Sequence, residues 1–202
     1  MAQAYKLIAD SAADKFHNSR AKIRMYAGGF ANGKTTALVA ETLKIIRDYP
    51  GANILLARAT FPKLNDTLRK EFFKWCPPSW IKSFNKNDNV ATFVNGCQVV
   101  FRYLDEQRTS SGESTSNLLS ANYDFIVVDQ IEDPEITEHV FMQLMGRLRG
   151  QTEYQGTDDT MPKTGPRMMI ITCNPTLGWV YKRMVKPYHD YKAGRYNPDI
   201  IA

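Results

Sequence analysis

The chain has 202 residues, 43% of them hydrophobic and 23% charged, with a formal net charge of +5. This length supports one good-sized core and is too short for two comfortable domains, and the composition is ordinary for a soluble globular protein. No apolar run approaches the roughly 20 residues a membrane helix needs, which excludes a spanning helix.

The start, Met1 to Lys6, has no basic cap followed by an apolar stretch, so no signal peptide is expected and a cytosolic compartment follows by default. Residues 1–20 read as an N-terminal arm with one short helix. Ile23 to Ala27 reads as a strand running into glycines. Lys34 to Asp48 reads as a helix whose Leu38, Val39, Thr42, Leu43, Ile45 and Ile46 form a wide buried face, stopped by Tyr49-Pro50-Gly51. Asn53 to Ala57 is a near-continuous apolar run, as in a central parallel strand. Phe61 to Trp75 repeats Leu64, Leu68, Phe72 and Trp75 at helical spacing and ends at Cys76-Pro77-Pro78; its aromatics are expected to pack rather than to bind a ligand.

Val90 to Phe93 and Cys97 to Leu104 flank Val94-Asn95-Gly96, a hairpin signal. Residues 105–122 read as a polar surface loop, Asp124 to Asp129 as a buried strand, and Pro134 to Arg149 as a helix with Pro134 in its first turn. Residues 150–166 are polar, Arg167 to Cys173 reads as another central strand, and Gly178 to Lys186 as a last helix before Pro187. Strands alternating with helices imply a single α/β domain over 1–202, with a mainly parallel sheet flanked by helices. Residues 161–202 hold seven basic and two acidic residues, so they carry the whole net charge; the stretch suits a phosphate backbone or an ordinary solvated surface equally. Cys76, Cys97 and Cys173 have neither metal-ligand nor redox-pair spacing and read as buried thiols.

Gly28-Gly29-Phe30-Ala31-Asn32-Gly33-Lys34-Thr35 fits G-x-x-x-x-G-K-[ST], between a strand and a helix. Glycines let backbone N–H groups curl around phosphates, and the helix N-terminus that follows adds a dipole favourable to anions. Lys34 is placed to reach the β- and γ-phosphates of ATP, Thr35 to offer its hydroxyl to Mg²⁺, and Thr36 to complete the cradle. Val127-Val128-Asp129 ends a parallel strand where open α/β sheets bind ligands, so Asp129 is the magnesium-orienting acid. Glu132 is the candidate to activate water, with Asp133 as a second choice; these acids would also favour the N-terminus of the helix at Pro134. Asn174 ends the last strand, where it would sense the γ-phosphate or form an Asn-Pro turn. Arg147 and Arg149 are candidate arginine fingers or cations at a helix C-terminus, with Arg58 and Arg102 as lesser candidates.

Taken in order, Phe16-His17-Asn18-Ser19-Arg20, the loop, Leu56-Ala57-Arg58, Val127 to Glu132, Gln143 to Arg149 and Thr172 to Pro175 resemble the ATPase domain of the large terminase subunit of tailed bacteriophages. The resemblance covers about Phe16 to Trp179. It implies a P-loop fold of the RecA-like (ASCE) type and a motor that hydrolyses ATP to push double-stranded DNA into a procapsid in the host cytoplasm. It also implies a ring of subunits on a portal protein, a small terminase subunit as partner, Asn174 in the coupling motif, and Phe16 and His17 at the adenine site. The chain departs from the pattern at Phe30, where many relatives have arginine, which shifts the finger toward Arg147 or Arg149 acting on a neighbour. It departs again at Gln130, where many have the catalytic glutamate, and at Ala13, where a glutamine is often met. The nuclease domain of such subunits is not found, and an ATPase domain alone is expected. A helicase or recombination-type ATPase, or a nucleotide-binding ring scaffold that hydrolyses weakly, are the alternatives.

Overall fold

The computed structural model describes residues 5–104, 121–157, 163 and 167–195. Seven strands make one sheet: β1 (Ile23–Ala27), β2 (Asn53–Arg58), β3 (Ile81–Asn85), β4 (Val90–Phe93), β5 (Gln98–Tyr103), β6 (Phe125–Val128) and β7 (Met168–Cys173), in spatial order β1-β7-β6-β2-β5-β4-β3. The first five in that order run parallel, and β4 and β3 continue antiparallel. β2, β6 and β7 are apolar along most of their length because the sheet is covered on both faces. Ile54 and Leu56 of β2, Phe125 and Val127 of β6, and Met168 and Ile170 of β7 enter one core layer; their alternates Leu55, Ala57, Ile126, Val128, Met169 and Ile171 enter the other. This is a P-loop α/β fold of RecA-like type, in which β7 stands between the strand leading into the phosphate loop and the strand bearing Asp129.

The first layer is closed by α1 (Ala12–Asn18), α2 (Lys34–Asp48) and a helical run made of α3 (Phe61–Lys63), a π-helical segment (Leu64–Arg69) and α4 (Lys70–Trp75). The second is closed by α5 (Glu138–Met145) and by Trp179, Val180 and Met184, at the start of a C-terminal run made of a π-helical segment (Tyr181–Val185) and α6 (Lys186–Lys192). No helix among the described residues is long and apolar enough to cross a membrane.

Several expectations need correction. The helix expected from Pro134 begins at Glu138, because Thr137 is the better cap: its side chain accepts from the Val140 amide, while residues 131–136 form successive turns. It ends at Met145, and Arg147 and Arg149 turn back to hydrogen-bond Tyr123. Pro187 does not stop the last helix. The π segment before it bonds Lys186 N–H to the Tyr181 carbonyl, and Pro187 takes an early position of α6, where a missing N–H is tolerated. Strand β3 was not expected; Ile-Lys-Ser-Phe-Asn on a half-exposed antiparallel edge has little apolar alternation. The loop expected over residues 105–122 lies outside the described residues except for 121–122, and of the polar stretch 150–166 residues 158–162 and 164–166 lie outside them.

A buried charge cluster ties α1 and β1 to α2. Arg24 donates to Glu41 Oε1 at 2.7 Å, and His17 Nδ1 lies 2.7 Å from Glu41 Oε2. Burial works against the Glu41 charge, but the His17 hydrogen bond and the Arg24 charge outweigh it and hold its pKa below the ordinary 4.5. A lowered folded pKa gives stability that is complete above the unfolded value and lost as pH falls through the folded one. Glu41→Gln is therefore expected to cost about 3–5 kcal/mol in urea unfolding at neutral pH, with the gap to wild type shrinking below pH 4.5. A gap independent of pH would contradict this.

Candidate nucleotide site

The site forms at the carboxyl edge of three adjacent strands. Ala27 pairs with Cys173 and Val128 with Ile171, so the residues that follow, Gly28, Asn174 and Asp129, leave the sheet on the same side. The Gly28 amide bonds the Cys173 carbonyl at 3.1 Å, which anchors the start of the loop to β7.

Residues 29–33 are exposed. Two of them take left-handed backbone conformations, Ala31 with φ 60° and Gly33 with φ 67°; the turn into α2 depends on the glycine, since an L side chain is strained there. Gly33 caps α2 without any side-chain hydrogen bond, so the first amides of a 15-residue helix point into the loop without a capping side chain. The Lys34 ammonium is largely buried and donates to the carbonyls of Gly28, at 2.8 Å, and Gly29. The loop thus curls around a cation, the arrangement that a polyphosphate would use.

Asp129 is fully buried. Thr172 donates to its Oδ1 at 2.6 Å, Thr35 lies 3.2 Å from both of its oxygens, and Arg58 Nε lies 3.7 Å from Oδ2. Burial pushes the Asp129 carboxyl up from its ordinary range, and the Thr172 bond, the Arg58 charge and the Thr35 bond pull back without cancelling the rise. Among the described residues no group of three His, Cys, Asp or Glu could cage a metal. The pair Thr35 and Asp129 fits Mg²⁺ instead, which keeps several waters and takes other ligands from phosphates.

Glu132 and Asn174, expected on separate segments, are brought together: Asn174 Nδ2 donates to Glu132 Oε1 at 2.6 Å. Glu132 Oε2 and Asn174 Oδ1 are buried with no hydrogen-bond partner among the described residues, so the pair has unused acceptors. Burial and the neighbouring Glu132 push the Cys173 thiol to about 12, which keeps it neutral and inert. Gln130 has a left-handed backbone, φ 55°; its amide donates to Thr172 Oγ1 at 2.8 Å and its side-chain oxygen accepts from Arg58. Gln130 is thereby tied to both β2 and β7.

Other candidates are placed elsewhere. Phe30 is 82% exposed at the tip of the loop. Thr36 gives its hydroxyl to Glu71 at 2.8 Å, joining the loop helix to α4. Phe16 is in the core, stacked on Tyr26, and the buried ring of His17 has both nitrogens engaged, by Glu41 and Tyr5, so neither ring presents an open face. Arg147 and Arg149 bracket Tyr123, at the amino end of β6, while Asp129 follows its carboxyl end. Six residues of extended chain separate the two ends by about 20 Å, beyond the reach of either side chain. Arg102 donates to the Asp88 carbonyl near the hairpin. Thr172 was not foreseen as a partner of Asp129, since a buried threonine inside a strand carries no motif; Arg58, a lesser finger candidate at a strand end, is set beside Asp129 by the strand order, which places β2 and β7 on either side of β6.

Two clefts adjoin the loop. One, of about 440 Å³, is lined by Gly28, Asn174, Leu177, Tyr181 and His189 among others. The other, of about 380 Å³, lies between Thr35 and Thr36 and the polar face of residues 66–74.

No protein-family model and no curated protein matches the sequence. Solved structures do resemble it. The large terminase of a thermophilic bacteriophage, in complex with ATP-gamma-S, is 14% identical with a TM-score of 0.55, over 90% of this chain and 39% of that one. The large terminase of bacteriophage HK97 is 9% identical with a TM-score of 0.55, over 95% of this chain and 38% of that one. The large terminase ATPase domain of Thermus phage P74-26 is 16% identical with a TM-score of 0.51, over 97% of this chain and 90% of that one. The chain therefore has the fold of phage large terminase ATPase domains, and it spans under two fifths of the length of the first two.

The Thr172 hydroxyl serves the Asp129 carboxylate and the Gln130 amide at once. Thr172→Val leaves both without that partner and should lower stability by about 1–3 kcal/mol, while Thr172→Ser keeps most of it. Equal urea midpoints for Thr172→Val and wild type would refute the arrangement.

Proposed function

We propose that the chain is a magnesium-dependent ATPase that drives double-stranded DNA into a viral procapsid, as the motor part of a large terminase subunit. The observation that carries the hydrolytic part is the Glu132–Asn174 pair at 2.6 Å, set at the same sheet edge as the Lys34 loop and Asp129. In this reading Lys34 and the free amides at the start of α2 hold the β- and γ-phosphates, and Thr35 and Asp129 hold the metal, which neutralises phosphate charge when bound. Glu132 orients a water and takes its proton. The water oxygen bonds to the γ-phosphorus, the bond to the β–γ bridging oxygen breaks, and ADP and phosphate leave. Asn174 bonds Glu132 and ends β7, so a change at the terminal phosphate would be felt along that strand.

The DNA-packaging part rests on the fold shared with phage large terminases and on the ordered motifs of the sequence. It assigns the chain to a ring of like subunits on a portal protein, with a small terminase subunit as partner, in the host cytoplasm. Arg147 and Arg149 lie at the amino end of β6, about 20 Å along the strand from Asp129, so in such a ring either would serve a neighbour's nucleotide. No DNA cleavage is assigned to these residues. A second reading, a ring scaffold that binds nucleotide and hydrolyses it weakly, is favoured by one observation: Gln130 stands next to Asp129 and is tied to Arg58.

Phosphate release decides between the two. Glu132→Gln should lose about 100-fold or more in turnover with ATP affinity retained, and Lys34→Ala should lose binding. Turnover of Glu132→Gln equal to wild type would remove Glu132 from the mechanism, and a wild-type turnover no faster than uncatalysed hydrolysis, with ATP bound, would leave the scaffold reading.

A further inference from the structure

Charge that develops on a phosphoryl group in transfer is stabilised by a cation besides the loop lysine, and most basic side chains around this site are committed elsewhere. The loop carries Phe30 at its tip. Arg24 is bound to Glu41. Lys63 lies 3.2 Å from Asp133 and 3.1 Å from Glu135. Arg147 and Arg149 are at the opposite end of β6.

Arg58 differs. It ends β2, the strand hydrogen-bonded to β6, and is only 7% exposed. Its two terminal nitrogens are held, one by Thr67 and the Lys63 carbonyl and the other by Gln130. Its Nε is buried without a hydrogen-bond partner among the described residues and lies 3.7 Å from Asp129 Oδ2. The guanidinium is thus held at both terminal nitrogens, by Thr67 and the Lys63 carbonyl and by Gln130, while Nε makes no hydrogen bond among the described residues and sits beside Asp129.

We propose that Arg58 is the in-subunit catalytic cation, donating through Nε to an oxygen of the terminal phosphate as charge develops during its transfer to water. The inference rests on the ATPase reading above. A guanidinium already fixed and desolvated stabilises developing charge without reorganising at the moment of reaction. Lysine would not substitute, because the clamp on Thr67 and Gln130 needs a planar fork with several donors. The competing role, a mere counter-ion for buried Asp129, makes a different prediction, since that role acts equally on ground and transition states.

The test compares two ligands of the whole chain by calorimetry with magnesium present: ATP-gamma-S, which mimics the ground state, and ADP with aluminium fluoride, which mimics the transition state. Arg58→Gln should lose about 100-fold more affinity for ADP with aluminium fluoride than it loses for ATP-gamma-S. Arg58→Lys, which keeps a buried cation beside Asp129, guards against misfolding and should show the same split. Equal losses for both ligands would make Arg58 a counter-ion only and overturn the proposal, as would no loss for either. Wild type that binds neither ligand would overturn the ATPase reading itself, and this inference with it.

Discussion

The carboxylate of Asp129 has no access to solvent, and a buried charge is tolerated only when surrounding groups satisfy it. Here the partners come from three different parts of the chain: Thr35 from the start of α2, Thr172 from β7 and Arg58 from β2. Satisfying one charge therefore fixes the Gly28–Thr35 loop and the two strands that flank β6 relative to each other. The positions of Lys34, Glu132 and Asn174 follow from that constraint, because each is within a few residues of a group that Asp129 holds.

The same arrangement gives the site a route to the rest of the molecule. Arg58 reaches Thr67, and Thr36 reaches Glu71, so the helical run over residues 61–75 is fastened to the nucleotide site twice. Residues 64–69 of that run are π-helical, a form that recurs at functional sites because it realigns side chains at the expense of regular bonding. On the other flank, Trp179 donates to the Ile136 carbonyl and packs on Phe141, which joins the segment after Asn174 to the helix after Glu132.

Elements governed by strong local chemistry were legible in the sequence. The strand into the glycines, the helix from Lys34 to Asp48 and the Asn95-Gly96 hairpin fall where glycine geometry and apolar periodicity put them. Local rules failed where two signals competed: Thr137 prevailed over Pro134 as a helix start, and a π turn absorbed Pro187. The site was legible in its motifs but not in its geometry. Lys34, Thr35, Asp129, Glu132 and Asn174 were picked out by residue type at strand ends, and parallel register gathers them. Arg147 and Arg149 looked equivalent to the others in sequence, yet the chain returns to Tyr123 after α5 and leaves them at the far end of the sheet. Arg58 was picked out only as a lesser candidate at a strand end; its place beside Asp129 comes from strand order, a long-range property.

The central claim is that residues 28–35 cradle a metal-bound triphosphate against Asp129. Hydrogen–deuterium exchange of the chain with and without saturating ATP-gamma-S and Mg²⁺ reads the amides that would do so. The account predicts slowed exchange over residues 28–36 and 172–174 that requires the metal, with residues 146–149 unchanged in the isolated subunit. Unaltered exchange over residues 28–36, with nucleotide and magnesium both in excess, would contradict it.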